Sequence, residues 1–275
     1  ASDVYKRQLL DVYNGKYAPE RNPARFALFV SFFPQLIQGP IGRYDRMKEQ
    51  FETGGAPVNV EKSALLMLWG LFKKMVIADR ALPLVSAVFS ENAGEWGGAV
   101  TVLGGLAYSL QQYCDFSGGI DLVAGIAELF GIRLAENFKR PYFAVSLGDF
   151  WRRWHISLST WFRDYVYFPL GGSRVDSRAK HIRNLFVVWL LTGIWHGANW
   201  TFLAWGLFYF VLLVLEKYGH LGRGWPVWAK WLFAFLMVNF AWVLFRADSL
   251  AAAGQYLQAM FGFGAGGWDD LTALY

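Results

Sequence analysis

The stretch from Asn184 to Leu215 constrains this chain more than any other. It reads NLFVVWLLTGIWHGANWTFLAWGLFYFVLLVL, almost wholly apolar, yet Trp195-His196-Gly197-Ala198-Asn199 interrupts it near the middle. One unbroken helix of that length would run roughly 48 Å, against a hydrocarbon core of about 30 Å. The pattern therefore predicts a short arm, a break at the glycine and a full span after it. His196 then lies deep among apolar residues, at a bend where backbone groups are also freed. An ionisable side chain held in a membrane is costly and by default marks a working site. The blander alternative is a buried histidine satisfied by a carbonyl.

Composition points the same way. Apolar residues make up 55% of the chain and charged residues only 17%, against about 45–50% and 25% in soluble domains. Several runs are long enough to cross a bilayer, so the fold class is all-α, a polytopic integral membrane protein. The net charge of +5 would suggest nucleic acid in a soluble chain. Here the basic residues sit between apolar runs, where cytoplasmic loops facing anionic lipid account for them, so no nucleic-acid partner is expected. The single Cys114 excludes an internal disulfide and every cysteine-based zinc pattern. His155, His181, His196 and His220 show no metal-ligand spacing, so no metal is expected. There is no internal repeat, P-loop, Rossmann glycine fingerprint or GxSxG elbow.

The chain reads as a fragment of a longer protein, one membrane-embedded core over residues 1–275. It has no initiator Met and ends just after a glycine-rich linker (Gly262, Gly264, Gly266, Gly267). Ala1–Gln8, polar and unlike the rest of the chain, is set outside the fold. Leu9–Asn22 reads as a loop, Arg25–Ile41 as a kinked or partial span interrupted by Pro34, and Gly42–Lys62 as a charged loop. Ser63–Ser90 reads as a span to Phe72 and then a partly interfacial helix. Ala99–Tyr113 and Phe116–Ile132 read as a hairpin-like pair around Gln111–Asp115. Asp115 and Asp121 beside or within apolar runs need a physical reason. Leu134–Tyr142 is a polar connector. Trp228–Phe245 is a strong span, and Ser249–Phe261 an amphipathic helix.

Leu147–Leu170 is the second informative stretch. Ser146 with Asp149 three residues on has capping-box spacing and predicts a helix start. Phe150, Trp151, Trp154, Leu158, Trp161, Tyr165 and Phe168 recur at three- and four-residue steps. They define an aromatic face opposite Arg152, Arg153, Ser159, Thr160, Arg163 and Asp164, the pattern of a helix lying along the membrane interface. His155 falls on its protein side; a histidine merely packed on its neighbours would give the same pattern. In Gly171–Arg183, Arg174, Arg178, Lys180 and Arg183 face one acid, Asp176, which sets this loop in the cytosol. The arm leading to His196 then enters from the cytosolic side.

These residues carry a resemblance. Phe150-Trp151-Arg152-Arg153-Trp154-His155-Ile156-Ser157-Leu158-Ser159, followed by Trp161, Arg163-Asp164-Tyr165 and Pro169-Leu170-Gly171-Gly172, resembles the first signature of the membrane-bound O-acyltransferase family. Trp195-His196-Gly197 resembles its second. Phe33-Pro34-Gln35 with Gly39-Pro40, Asp115-Phe116-Ser117-Gly118 and Phe245-Arg246-Ala247 are supporting matches. The nearest branch is the bacterial one of alginate O-acetyltransferases and the teichoic-acid D-alanylation acyltransferase. Gly119 departs from the pattern, where a bulkier residue is expected.

The resemblance implies a helical core with interfacial and re-entrant helices in the bacterial cytoplasmic (inner) membrane, crossing it several times. It makes His196 the catalytic histidine and His155 a second important position. The donor is an acyl thioester co-substrate, acetyl-CoA or an acyl carrier protein, with no bound cofactor. The acceptor is an extracellular polysaccharide or an outer-face acyltransferase partner. The residues agree chemically: an imidazole with an ordinary pKa near 6.5 suits removal of a hydroxyl proton near neutral pH. Burial among Ile194, Trp195 and Trp200 keeps it neutral and able to accept. Asn199 is a candidate donor to the substrate carbonyl. Arg152, Arg153 and Arg163, with Asp164, Trp161 and Asp115, complete the candidate substrate contacts, although anionic lipid is also a partner for the arginines. D-alanyl transfer from a carrier protein, or a membrane transporter or scaffold using buried His and Asp as a relay, are the alternatives; no inverted repeat supports a transporter.

Overall fold

The structure is a computed structural model that describes residues 9–36, 38–90 and 95–263. Ala1–Gln8 and the linker from Gly264 onward lie outside them. The described residues are helical, without strands. In chain order the helices are α1 (9–13), α2 (Pro23–Ser31), α3 (Tyr44–Thr53), α4 (Val60–Leu71), α5 (Asp79–Val88), α6 (Gly98–Leu129) and α7 (Leu147–Trp151). They continue with α8 (Ile156–Phe162), α9 (Arg178–His196), α10 (Trp200–Tyr218), α11 (Val227–Arg246) and α12 (Leu250–Met260). The chain divides into two compact units, each built from three separate segments. Neither unit is a stretch that a change of composition along the sequence could mark.

The first unit contains the residues up to Ala78, Tyr113–Lys139 and His155–Trp161. Asn22 starts α2 by accepting the Ala24 N–H at 2.9 Å, with Pro23 at the first helical position, where its missing N–H costs nothing. Pro34 then limits the partial span to α2 and a 3₁₀ turn, Phe33–Gln35. A small core forms from Phe29, Phe32, Tyr44, Met47, Ala127 and Ile132. Behind it, α4 and the C-terminal part of α6 approach through glycine: a Cβ on Gly70 would stand 2.6 Å from the Gly118 carbonyl oxygen. Such small-residue contacts are how helices pack where no water drives them together.

The second unit contains Asp79–Gln112, Arg140–Trp154 and the residues from Phe162 onward. Its centre is the α9–α10 pair. A Cβ on Gly206 would meet the Trp189 carbonyl oxygen at 2.5 Å, and one on Gly193 the Phe202 carbonyl oxygen at 2.7 Å. Polar groups join the rest: Ser109 Oγ lies 2.5 Å from Asn239 Oδ1, and Tyr142 Oη donates to the Ser109 carbonyl at 2.6 Å. Tyr256 Oη donates to the Thr101 carbonyl at 2.6 Å, fixing α12 against α6. Among the described residues two helices, α10 and α11, are long and apolar enough to cross a membrane.

The central expectation holds: helix, break at Gly197, helix. The arm is longer than the apolar run, because α9 starts at Arg178 within the basic loop, capped by Ser177 accepting the Lys180 N–H at 3.2 Å. Three expectations fail. Gly42–Lys62 is not a loop but contains α3, terminated by Gly54 in the left-handed region. Residues 9–13 are helical. The proposed hairpin over 99–132 is one helix of 32 residues. Gln111–Asp115 contains neither Gly nor Pro, so its polarity marked a polar contact rather than a turn.

The close crossing predicts a contrast between two glycines. Gly206→Ala should destabilise the α9–α10 pair by about 1–3 kcal/mol, read as a lower midpoint of thermal unfolding in detergent. Gly254→Ala in α12, where a Cβ meets nothing within 4 Å, should leave the midpoint unchanged or raise it.

Candidate active site

His196 is the last residue of α9, where Gly197 extends the chain and Asn199 starts the next helix. Gly197 is needed sterically, since a Cβ there would lie 2.6 Å from the Phe202 ring. The imidazole stands in an aromatic box. Its ring centroid is 4.9 Å from Trp195, 4.9 Å from Trp205, 5.1 Å from Phe245 and 6.2 Å from Phe202. Trp195, Trp205 and Phe245 all present nearly perpendicular rings. Ile194 and Trp200, assigned to this wall by sequence, are instead 54% and 74% exposed. Apart from Trp195 on α9, the enclosure therefore comes from α10 and α11. Among the described residues no side chain or carbonyl hydrogen-bonds the His196 ring, so the reading of a histidine satisfied by a carbonyl has no partner to support it.

His181 shows what a satisfied histidine looks like in the same unit. It is 3% exposed, with Nε2 2.6 Å from Tyr167 Oη and Nδ1 2.5 Å from Tyr218 Oη. Burial, and then the charge of Lys217, hold its pKa below the ordinary value.

The first signature is not one helix. α7 ends at Trp151, a turn follows, and α8 begins at Ile156; Arg163–Tyr167 is a π-helical turn. Ser146 does cap α7, accepting the Asp149 N–H at 3.0 Å, but Asp149 returns to Val145 N rather than Ser146 N. His155 itself breaks the helix, with φ +46°, a left-handed conformation that a non-glycine residue seldom adopts and that concentrates at functional sites. The aromatic residues before it face inward in the second unit. Trp151 packs at 5.6 Å on Trp205, and Trp154 at 5.0 Å on Trp242. Trp205 contacts His196 directly, and Trp242 contacts Phe245 at 5.5 Å. Thus Trp151 and Trp154 of the first signature support the box around the histidine of the second.

His155 belongs to the first unit. It is 9% exposed, its ring 4.8 Å from Phe116, and its Nδ1 is 3.4 Å from Asn137 Oδ1. Asn137 organises this turn: its Oδ1 accepts the Ser157 N–H at 2.9 Å and its carbonyl the Ile156 N–H at 3.0 Å. Asn137 Nδ2 and Ser157 Oγ are buried without a hydrogen-bond partner among the described residues. Two unspent polar atoms beside a strained histidine fit a site that receives a polar group. The polar connector gave no sign of Asn137.

Asp115 lies one residue from Phe116, and the Asp115-Phe116-Ser117 motif joins His155 to a lysine pair. Asp115 Oδ1 is 2.5 Å from Lys74 Nζ. Lys73 Nζ donates to Ser117 Oγ at 2.9 Å and pairs with Asp121 at 2.7 Å. The lysines are delivered by a π-helical segment, Phe72–Ala78, a local widening common at functional sites. This supplies the reason the two acids needed.

The remaining candidates are less concentrated. Asn199 is a helix cap: Oδ1 accepts the Thr201 N–H at 3.2 Å, and Nδ2 donates to the Asp248 carbonyl at 3.0 Å. Oδ1 and one Nδ2 hydrogen are thus engaged in capping α10 and tying it to the Asp248 carbonyl, and the second Nδ2 hydrogen is the one left to donate. Arg153 Nε is 2.9 Å from Asp149, and Arg152 is 3.5 Å from it. Arg163 pairs with Asp164 at 3.0 Å. Trp161 is half-buried in α8. His155, Trp161 and Asp115 fall in the first unit; His196, Trp195, Asn199, Arg153, Arg163 and Asp164 fall in the second.

A helical fold with paired His-centred signatures is the arrangement of a membrane acyltransferase, and comparison with known proteins agrees. The sequence profile of the MBOAT, membrane-bound O-acyltransferase family, matches residues 20–250. The chain belongs to this family. It is 41% identical over 268 residues to a probable alginate O-acetylase, AlgI, of Azotobacter vinelandii, covering 96% of this chain and 53% of that protein. A peptidoglycan O-acetyltransferase of Helicobacter pylori is 42% identical over 246 residues, 86% and 46% of the two chains. A teichoic acid D-alanyltransferase of Bacillus subtilis is 30% identical over 228 residues, 76% and 54% of the two chains. The chain spans about half the length of the curated relatives it matches.

The buried ion pair gives a sharp test. Lys73→Met leaves Asp121 without its cation and should cost about 3 kcal/mol, the low end for a broken buried pair because Asp121 is partly exposed. Lys73→Met/Asp121→Leu should recover most of that loss in the same thermal-unfolding assay.

Proposed function

We propose that this chain is the core of a bacterial membrane O-acyltransferase that transfers an acetyl group from a cytosolic thioester to a hydroxyl of a cell-envelope polysaccharide. The observation that carries the reading is His196: an imidazole at a broken helix, walled by four aromatic rings, with no protein hydrogen bond among the described residues. In the reaction its ring nitrogen takes the acceptor hydroxyl proton as that oxygen attacks the thioester carbonyl. The C–S bond then breaks, the thiolate leaves, and the imidazolium returns the proton to sulfur. His155, with Asn137 and Ser157 beside it, is the second substrate-facing group. The donor is acetyl-CoA or an acyl carrier protein; the acceptor is the polysaccharide or an outer-face acyltransferase partner. The 41–42% identity to the O-acetyl-transferring relatives, against 30% to the D-alanyl-transferring one, supports acetyl over D-alanyl transfer.

The same reading puts the protein in the inner membrane with several crossings. Supporting this, α4 and the π segment after it present Leu65, Leu68, Trp69, Phe72, Met75 and Val76 outward, an apolar face suited to lipid. The basic residues of Gly171–Arg183 support a cytosolic position for that loop.

In the full-length protein, His196→Gln should lower acetyl transfer about 10²- to 10⁴-fold, the usual value of a general base, with membrane insertion unchanged. Retention of more than about a tenth of the activity would end this assignment. For topology, Ser177 is a poor site because it caps α9. Arg174→Cys in a Cys114→Ser background should resist an impermeant thiol reagent outside intact cells and react once the membrane is opened; ready labelling from outside would reverse the orientation.

A further inference from the structure

Where α10 ends and α11 begins, the second unit holds a cavity of about 420 Å³ that the acyl-transfer chemistry does not use. Its lining includes Glu216, His220, Arg223, Trp225, Lys230 and Phe233. Its volume falls in the range that encloses small ligands, and is larger than a lone carboxylate or inorganic ion needs.

The charges are arranged for an anion. Glu216, the only acid among the described lining residues, has its oxygens engaged: Oε1 accepts the Leu147 N–H at 2.6 Å and Oε2 the Gly148 N–H at 3.1 Å. It is therefore turned toward the start of α7. Among the described residues neither Arg223 nor Lys230 has a carboxylate partner, nor does the His220 ring have a hydrogen bond. Two permanent cations thus face the cavity against one carboxylate already occupied by backbone donors. The loop is wound to present them: His220, Gly222 and Gly224 have φ of +52°, +79° and +81°. Trp225 and Phe233 pack edge-to-face at 5.6 Å and offer an apolar, aromatic surface beside the charge.

The cavity also has a side. His181 in the first turn of α9 bonds Tyr218 at the end of α10, so this end of the hairpin is the end that carries the basic loop. With Gly171–Arg183 in the cytosol, the cavity opens at the cytosolic interface. Trp228 and Trp231, on the first turns of α11, are exposed, as tryptophans at headgroup level are.

We propose that this cavity binds a phosphate ester at the cytosolic membrane interface, with Arg223 and Lys230 on the phosphate and Trp225 and Phe233 against the group it esterifies. Two sources share that chemistry: the headgroup of an anionic phospholipid, and a soluble nucleotide phosphate. The proposal uses the cytosolic orientation but not the identity of the acyl group or the role of His196, so failure of either leaves the binding test intact.

The experiment uses the full-length protein and the Arg223→Gln/Lys230→Gln variant. In one arm, native mass spectrometry counts phosphatidylglycerol retained from phosphatidylglycerol/phosphatidylcholine vesicles. In the other, equilibrium dialysis measures binding of adenosine 3′,5′-bisphosphate. Arg174→Gln/Lys217→Gln removes two charges from the same end but outside the cavity. In at least one arm the cavity variant should lose about tenfold or more in affinity, or one retained lipid, because charge-assisted bonds to phosphate are the strong ones, while the control variant stays near wild type. Loss in the lipid arm assigns a headgroup, and loss in the dialysis arm a nucleotide. No binding in either arm, or equal loss in the control variant, overturns the proposal.

Discussion

Everything in the second unit depends on how closely α9 and α10 approach each other. Gly193 and Gly206 let the two backbones come together where any side chain would strike a carbonyl. In lipid this closeness matters more than in water, because association rests on packing rather than on expelling water. It also determines the chemistry. With α10 drawn against α9, Phe202 and Trp205 reach the ring at the end of α9. Gly197 leaves the space Phe202 needs, and α11 closes the wall with Phe245. The box around His196 is therefore a consequence of three glycines as much as of its aromatic residues.

The first unit solves a different problem, how to hold charge among apolar helices. Its lysines and acids come as pairs: Lys73 with Asp121, Lys74 with Asp115, Lys62 with Glu128. A broken pair strands a charge in a low-dielectric setting, so the pairs fix the register of α4 and the π segment against α6. Phe116 stands between Asp115 and Ser117, both held by these lysines, and its ring abuts His155. A stiff polar network on either side holds that ring in place, which gives a physical account of why Asp115, Phe116 and Ser117 act as a unit.

What was legible in the sequence was what local chemistry dictates. The break at Gly197 followed from a length that no single crossing accommodates, and Ser146 announced the start of α7 by its spacing from Asp149. What was not legible depended on partners distant in sequence. Gln111–Asp115 looked like a turn because the one charge in it, Asp115, had no visible counterpart; the counterpart is Lys74, some forty residues earlier. The periodic aromatic residues of 147–170 suggested one helix along a surface. Instead Trp151 and Trp154 turn inward to meet Trp205 and Trp242, and the chain breaks at His155 to let residues on either side enter different units. Asn199 has a structural role the sequence reading left out: an Asn before an apolar helix is first of all an N-cap.

The histidines separate by how their rings are satisfied. His181 has a hydroxyl on each nitrogen, which uses the full capacity of a neutral imidazole and leaves nothing for a substrate. His155 has one amide oxygen near Nδ1, a strained backbone, and two unspent polar atoms at its side. His196 has aromatic faces and edges alone. A neutral ring among such neighbours retains a lone pair that only an incoming donor can use, and a hydroxyl group is such a donor. That the chain surrounds this one imidazole with rings, and buries the other among hydroxyls, is why we propose His196 rather than His181 as the general base: an imidazole whose hydrogen bonds the protein completes has nothing left for a substrate.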